Sequence, residues 1–121
     1  MLIMELEIMT YVKVITNVKI MTNTEIISKL NVLLADYQIY YQNLRGFHWN
    51  IQGKLFFELH AKFEELYTDS AVKIDEVAER ILTIDGLPLH TFEDYVASST
   101  IPVTKNVHDG ETAVKTIASN L

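Results

Sequence analysis

Two histidines, His48 and His60, flank a short turn at Gly53, and acidic residues follow downstream: Glu64, then Asp75 and Glu79. Imidazole nitrogens and carboxylate oxygens, in a chain without a single thiol, suit iron, manganese or zinc rather than copper(I) or an iron–sulfur cluster. The chemistry to look for is therefore that of a nitrogen- and oxygen-ligated metal ion.

Spacing constrains how such a site is built. His48 lies five residues before Gly53 and His60 seven after it, so at a helical rise of ~1.5 Å per residue both rings sit roughly 8–10 Å from the turn, level on neighbouring helices. Glu64 follows His60 by four residues and shares its face. Asp75 and Glu79 are also four apart, and all four residues fall within a sector of roughly 100° on the second helix. Asp75 is nevertheless about 22 Å along the axis from His60, whereas a metal–ligand bond is about 2 Å. The four cannot bind one ion within one helix. They can if an identical helix runs antiparallel across a two-fold axis, so that Asp75 and Glu79 of one chain meet His48, His60 and Glu64 of another, and such an interface carries two sites. Spacing alone leaves the plainer alternatives open. His48, between Phe47 and Trp49, also fits a satisfied core histidine, Glu64 and Asp75 also fit a solvated helix face, and Glu79 also fits a pair with a nearby basic residue. Tyr37, Tyr40, Tyr41 and Phe47 read as core. Trp49 reads as packing, with room for a redox role beside His48.

The elements that must position these residues are helices. Ile26, Ile27, Leu30, Leu33, Leu34, Tyr37, Tyr40, Tyr41, Leu44, Phe47, His48 and Ile51 recur at three and four residues and predict a helix over Thr24–Ile51. Thr22-Asn23-Thr24-Glu25 offers a capping box at its start, Gly46 is a local weakness or a close-contact point, and Gly53 can take the left-handed conformation at its end. A second helix is expected from Lys54 or Leu55 to about Asp85, where Gly86 and Pro88 stop it. So short a connection makes an antiparallel hairpin. Thr91 can cap a short helix over Phe92–Ala97, Ile101-Pro102 breaks it, and Asp109 or Gly110 opens a third long helix running through Leu121. The predicted fold is all-α: a four-helix bundle seen in part, with the chain reading as cut short of the full bundle. Residues 23–121 form that partial domain and residues 1–22 a tail. Within the tail, Tyr11-Val12-Lys13-Val14-Ile15-Thr16 alternates weakly like a strand, and Met21 is a plausible alternative start.

Composition excludes other classes. The chain has 121 residues, one domain's worth, with 4 glycines and 2 prolines, too few for a turn-rich β fold. The absence of cysteine removes disulfides and thiolate chemistry and is compatible with a cytoplasmic location. A net charge of −6 with scattered Lys and Arg repels phosphate backbones and argues against DNA, while an acidic surface attracts metal cations. No apolar run reaches the ~18–20 residues of a membrane span.

The runs Leu33-Leu34-Ala35-Asp36-Tyr37 and Tyr41-Gln42-Asn43-Leu44-Arg45-Gly46-Phe47-His48-Trp49-Asn50-Ile51 resemble the first helix of the Dps-type mini-ferritins. Phe56-Phe57-Glu58-Leu59-His60-Ala61-Lys62-Phe63-Glu64-Glu65-Leu66-Tyr67 and Asp75-Glu76-Val77-Ala78-Glu79-Arg80-Ile81 are similar to the second. The resemblance implies a four-helix subunit of a hollow dodecamer that oxidises Fe(II), usually with hydrogen peroxide and otherwise with oxygen, and stores ferric mineral. It implies an iron centre at the dimer interface built from His48, His60 and Glu64 of one subunit with Asp75 and Glu79 of its partner. It gives Trp49 the part of an electron donor that limits radical escape. The Glu-x-x-His pair of the large ferritins is missing. The chain departs from the family by lacking the rest of the third helix and the fourth, and by lacking a lysine-rich DNA-binding tail. The competing readings are a DNA-compacting architectural protein and a helical fragment that does not assemble.

Overall fold

The computed structural model describes residues 2–17 and 21–120. They form helices α1 (Leu2–Asn17), α2 (Asn23–Asn50), α3 (Phe56–Thr83), α4 (Phe92–Ser98) and α5 (Gly110–Ser119). No strand occurs among the described residues, only an isolated parallel bridge between Gln52 and Asp109. The predicted helices are present to within a residue or two. The expected capping box starts α2: Thr22 Oγ1 accepts from Glu25 N at 3.2 Å, and Thr22 N donates to Glu25 Oε2 at 3.0 Å. Thr91 caps α4 and Asp109 caps α5, each through its side-chain oxygen.

Two expectations need correction. Tyr11–Thr16 lies within α1 and is not a strand. A lone strand has no ladder to complete, whereas a helix pairs its own N–H and C=O groups, and β-branched residues cost only a few tenths of a kcal/mol each in a helix. Leu2, Ile3, Met4, Leu6, Ile8 and Met9 of α1 are exposed. The second correction concerns glycine. The left-handed residue that ends α3 is Asp85, at φ 60°. It sits in a Schellman closure in which Gly86 N donates to Ile81 O at 2.9 Å and Asp85 N to Leu82 O at 3.1 Å. Gly86 is needed for space, because a Cβ there would come within 2.7 Å of Ile81 Cγ2 and 2.9 Å of Ile27 Cγ1. Gly53 does have positive φ, but it turns the connection three residues beyond the end of α2. Gly46 is no close-contact point, since nothing lies within 4 Å of where its Cβ would be.

α2 and α3 form the expected antiparallel hairpin, and α4 and α5 pack on α2. Leu44, Phe47, Ile51, Phe63 and Ala113 make a buried cluster, with Leu59, Leu66, Val107 and Ile117 against it. This core lies beside the α2–α3 turn and fixes the two helices at the level of His48 and His60. The long connection from α3 to α5 is stitched to α2 by polar side chains. Asp36 Oδ1 accepts from Ser99 Oγ and Thr100 N at 2.8 and 2.6 Å, and its Oδ2 accepts from Thr100 Oγ1 at 2.8 Å. Asn43, buried, donates to Pro102 O and accepts from Thr104 N, both at 3.0 Å. Asn31 does the same for Leu87 O and Leu89 N at 3.1 and 2.9 Å. No described helix is long and apolar enough to cross a membrane.

Candidate metal centre

His48 is in the last turn of α2 and His60 in the second turn of α3. The last carbonyls of a helix lack intrahelical donors, and here His60 supplies one: its Nδ1 lies 2.8 Å from His48 O. The bond is reciprocated, with His48 Nδ1 at 2.7 Å from His60 O. A carbonyl can only accept, so each Nδ1 carries the proton and each Nε2 keeps its lone pair for a ligand. Outer hydrogen bonds of this kind set the tautomer and orientation of metal-binding imidazoles. The backbone of each helix thus orients the other helix's histidine.

The two rings stack, with centroids 3.7 Å apart and planes 17° from parallel. An imidazole lone pair lies in the ring plane. His48 and His60, with the Glu64 carboxylate, are the residues that would hold a divalent metal ion here. One donor atom from each of His48, His60 and Glu64 lies within 4.8 Å of the others. His48 is 7% exposed, His60 half-buried and Glu64 exposed, so the cluster opens from the hairpin to the surface.

Phe56 stacks on the outer side of His60 at 5.0 Å, and Tyr67 meets His48 edge-on at 5.3 Å. From the sequence alone neither ring had a part in the site. The signal available was the spacing of Tyr67 from His60 and Glu64, seven and three residues, which puts the three on one face. The remaining predicted residues lie apart. Asp75 and Glu79 are exposed further along α3 and belong to no donor cluster with the histidines of their own chain. Trp49 is 57% exposed, and its ring is covered by the Arg45 guanidinium at 4.7 Å.

A long antiparallel helix pair with imidazoles and a carboxylate facing one another near the turn is the framework of a ferritin-like protein. The family model described as a ferritin-like domain matches residues 27–119, and the chain belongs to that family. Within it the chain is a Dps-type mini-ferritin. It is 49% identical over 84 residues to DNA protection during starvation protein 2 of Bacillus anthracis, covering 69% of this chain and 56% of that one. It is 55% identical over 67 residues to a DNA protection during starvation protein of Porphyromonas gingivalis, covering 55% and 42%. Among solved structures, the Dps protein of Vibrio cholerae O1, described as a member of a superfamily of ferritin-like diiron-carboxylate proteins, superposes with TM-score 0.77 at 48% identity over 81% of this chain and 62% of that one. The chain spans about half the length of the curated relatives it matches.

Proposed function

We propose that the protein oxidises Fe(II) and sequesters the ferric product, consuming hydrogen peroxide, or oxygen in its absence, within an oligomeric cage of the dodecameric kind. The observation that carries this reading is the His48–His60 pair, stacked, locked as Nε2 ligands and joined by the Glu64 carboxylate. Fe(II) is the substrate. The neutral imidazoles suit the divalent ion, and carboxylates favour the ferric product, so a mixed set serves both oxidation states. Two Fe(II) held side by side each give one electron to a peroxide, which leaves as water after taking up two protons, and no hydroxyl radical is released.

One chain gathers two imidazoles and one carboxylate, too few donors for two ions. Asp75 and Glu79 lie on the same helix as His60, about 22 Å and 28 Å away along its axis. An antiparallel second copy across a two-fold axis brings those carboxylates to the histidines and completes both sites at once. The relatives' names speak of DNA protection. Removal of iron and peroxide protects DNA chemically without contact, and a chain of net charge −6 fits that better than direct binding.

Stopped-flow mixing of Fe(II) and peroxide with the protein tests the reading. Rapid ferric absorbance is expected for the natural chain and should be suppressed in the His48→Ala/His60→Ala variant, whose helical circular dichroism should be nearly unchanged. Equal oxidation rates in the two proteins would remove the histidines from the site.

A further inference from the structure

His48 and His60 are held unequally by the fold. Each ring has one fixed Nδ1–H···O bond. A single bond is a hinge, and the terminal torsion of a histidine is broad, so a ring held only there can still swing. His48 is buried, and close packing limits its swing. His60 is only half-buried. One of its faces lies on His48, with centroids 3.7 Å apart. The other face is covered by Phe56, at 5.0 Å and 22° from parallel, an offset stack. Phe56 is itself anchored. It is the first residue of α3, its N–H donates to Gly53 O at 3.2 Å, and its ring packs against the core cluster beside the turn. Leu55 and Phe57, on either side of it, are 59% and 80% exposed. Of three large apolar side chains in a row, only the one that meets His60 is turned inward.

We propose that Phe56 is a positioning residue of the centre: its ring closes the open face of His60 and keeps the Nε2 lone pair in the orientation set by the Nδ1–H···O bond to His48. This rests on the metal-binding reading of the His48–His60 pair, and it adds a residue that is neither a ligand nor an electron donor. A swing of the His60 ring about its terminal bond drives an edge of the imidazole into the Phe56 face. The ring can therefore leave the stack only if Phe56 moves, and Phe56 is tied to the turn and to the core. Phe56 thus does for the half-buried histidine what burial does for His48. The effect belongs in affinity. A ring free to swing loses orientational freedom when an ion takes it up, and a ring already fixed does not. Flatness is what the contact uses. Phe56→Leu keeps most of the apolar area but presents branched methyl groups to the imidazole, whereas Phe56→Tyr keeps the plane.

The experiment titrates the whole chain with Co(II), a divalent ion whose visible absorbance reports its ligands. The natural chain and Phe56→Tyr should bind with similar affinity and similar spectra. Phe56→Leu should bind about 10-fold more weakly, the lower end of what the loss of a residue that orients a metal ligand costs. Its helical circular dichroism and oligomer size should match those of the natural chain. Phe57→Leu, at a ring that is 80% exposed, should leave the affinity unchanged. Phe56→Met, with an unbranched and adaptable side chain, should weaken binding as Phe56→Leu does and replaces it if Phe56→Leu fails to fold. Rescue by Phe56→Tyr separates positioning by a flat ring from apolar burial. Phe56→Leu binding Co(II) as tightly as the natural chain, Phe56→Tyr binding as weakly as Phe56→Leu, or an equal loss in Phe57→Leu overturns the proposal. A natural chain that binds no Co(II) defeats the metal-centre reading and the proposal with it. A natural chain that binds Co(II) whatever stands at position 56 defeats the positioning role alone.

Discussion

His48 and His60 depend on each other's backbone more than on any side chain. Each Nδ1–H is spent on a carbonyl of the facing helix, so Nε2 is the nitrogen left free to act as a ligand. The spacing around Gly53 made it legible that the rings are level, because axial rise is a property of sequence distance. It did not make legible the stacking or the exchanged carbonyl bonds, because these depend on how α2 and α3 are rotated about their own axes. The same reason hid Tyr67 as a neighbour of His48. A different residue illustrates local electrostatics. Asp109 accepts the Thr112 N–H at the start of α5, and this bond holds its carboxyl below the ordinary value. A group with a depressed folded pKa contributes stability that is present above its unfolded pKa, about 3.9 for Asp, and is lost as pH falls through the lower folded value. Asp109→Ala should therefore lower the urea midpoint at neutral pH, and the gap from the natural chain should close as pH drops through and below the ordinary carboxylate range. A gap equally wide in acid and at neutrality would show that the cap does not act through the charged carboxylate.

The elements were legible wherever a local signal fixed them. Thr22 with Glu25, Thr91 and Asp109 are caps that a helix start requires, and each appears as a hydrogen bond. The polar stitching of the α3–α5 connection was not legible. Asn31, Asp36 and Asn43 read as ordinary polar positions of a helix, and only the path of a distant loop gives them partners. The strand expected at Tyr11–Thr16 failed because alternation over six residues says nothing about whether a neighbouring strand exists to pair with. Glycine tests the element scale from two sides. At Gly46, inside α2 with open space around it, Ala should stabilise by about 0.5–1 kcal/mol through lower chain entropy in the unfolded state. At Gly86 an added methyl meets Ile81 and Ile27 at 2.7 and 2.9 Å, and forcing it in should cost about 1–3 kcal/mol. Urea unfolding of the two variants should move the midpoint in opposite directions. A stabilised Gly86→Ala would mean that the Ile81 and Ile27 side chains yield without strain.

On the scale of the whole molecule, charge and symmetry decide what the proposed chemistry requires. Its net charge of −6, with Lys and Arg scattered along the sequence, predicts no retardation of duplex DNA in a gel at physiological salt and micromolar protein. Salt-sensitive retardation would instead point to a basic surface created by assembly. Symmetry allows a sharper test of the shared centre. One variant, His48→Ala/His60→Ala, loses the imidazole half of every site. Another, Asp75→Ala/Glu79→Ala, loses the acidic half. Each alone should be inactive in rapid Fe(II) oxidation. In a mixed two-fold dimer one site inherits both defects and the other inherits neither, so its imidazoles come from the second variant and its carboxylates from the first. Random pairing of equal amounts makes half of the dimers mixed, each with one intact site of two, and about a quarter of the natural rate per chain should return when the two are refolded together. Recovery can arise only if the halves of a site reside on different chains. Two inactive variants that stay inactive when co-refolded into the same oligomer would place all of the ligands within single chains and end the two-fold reading.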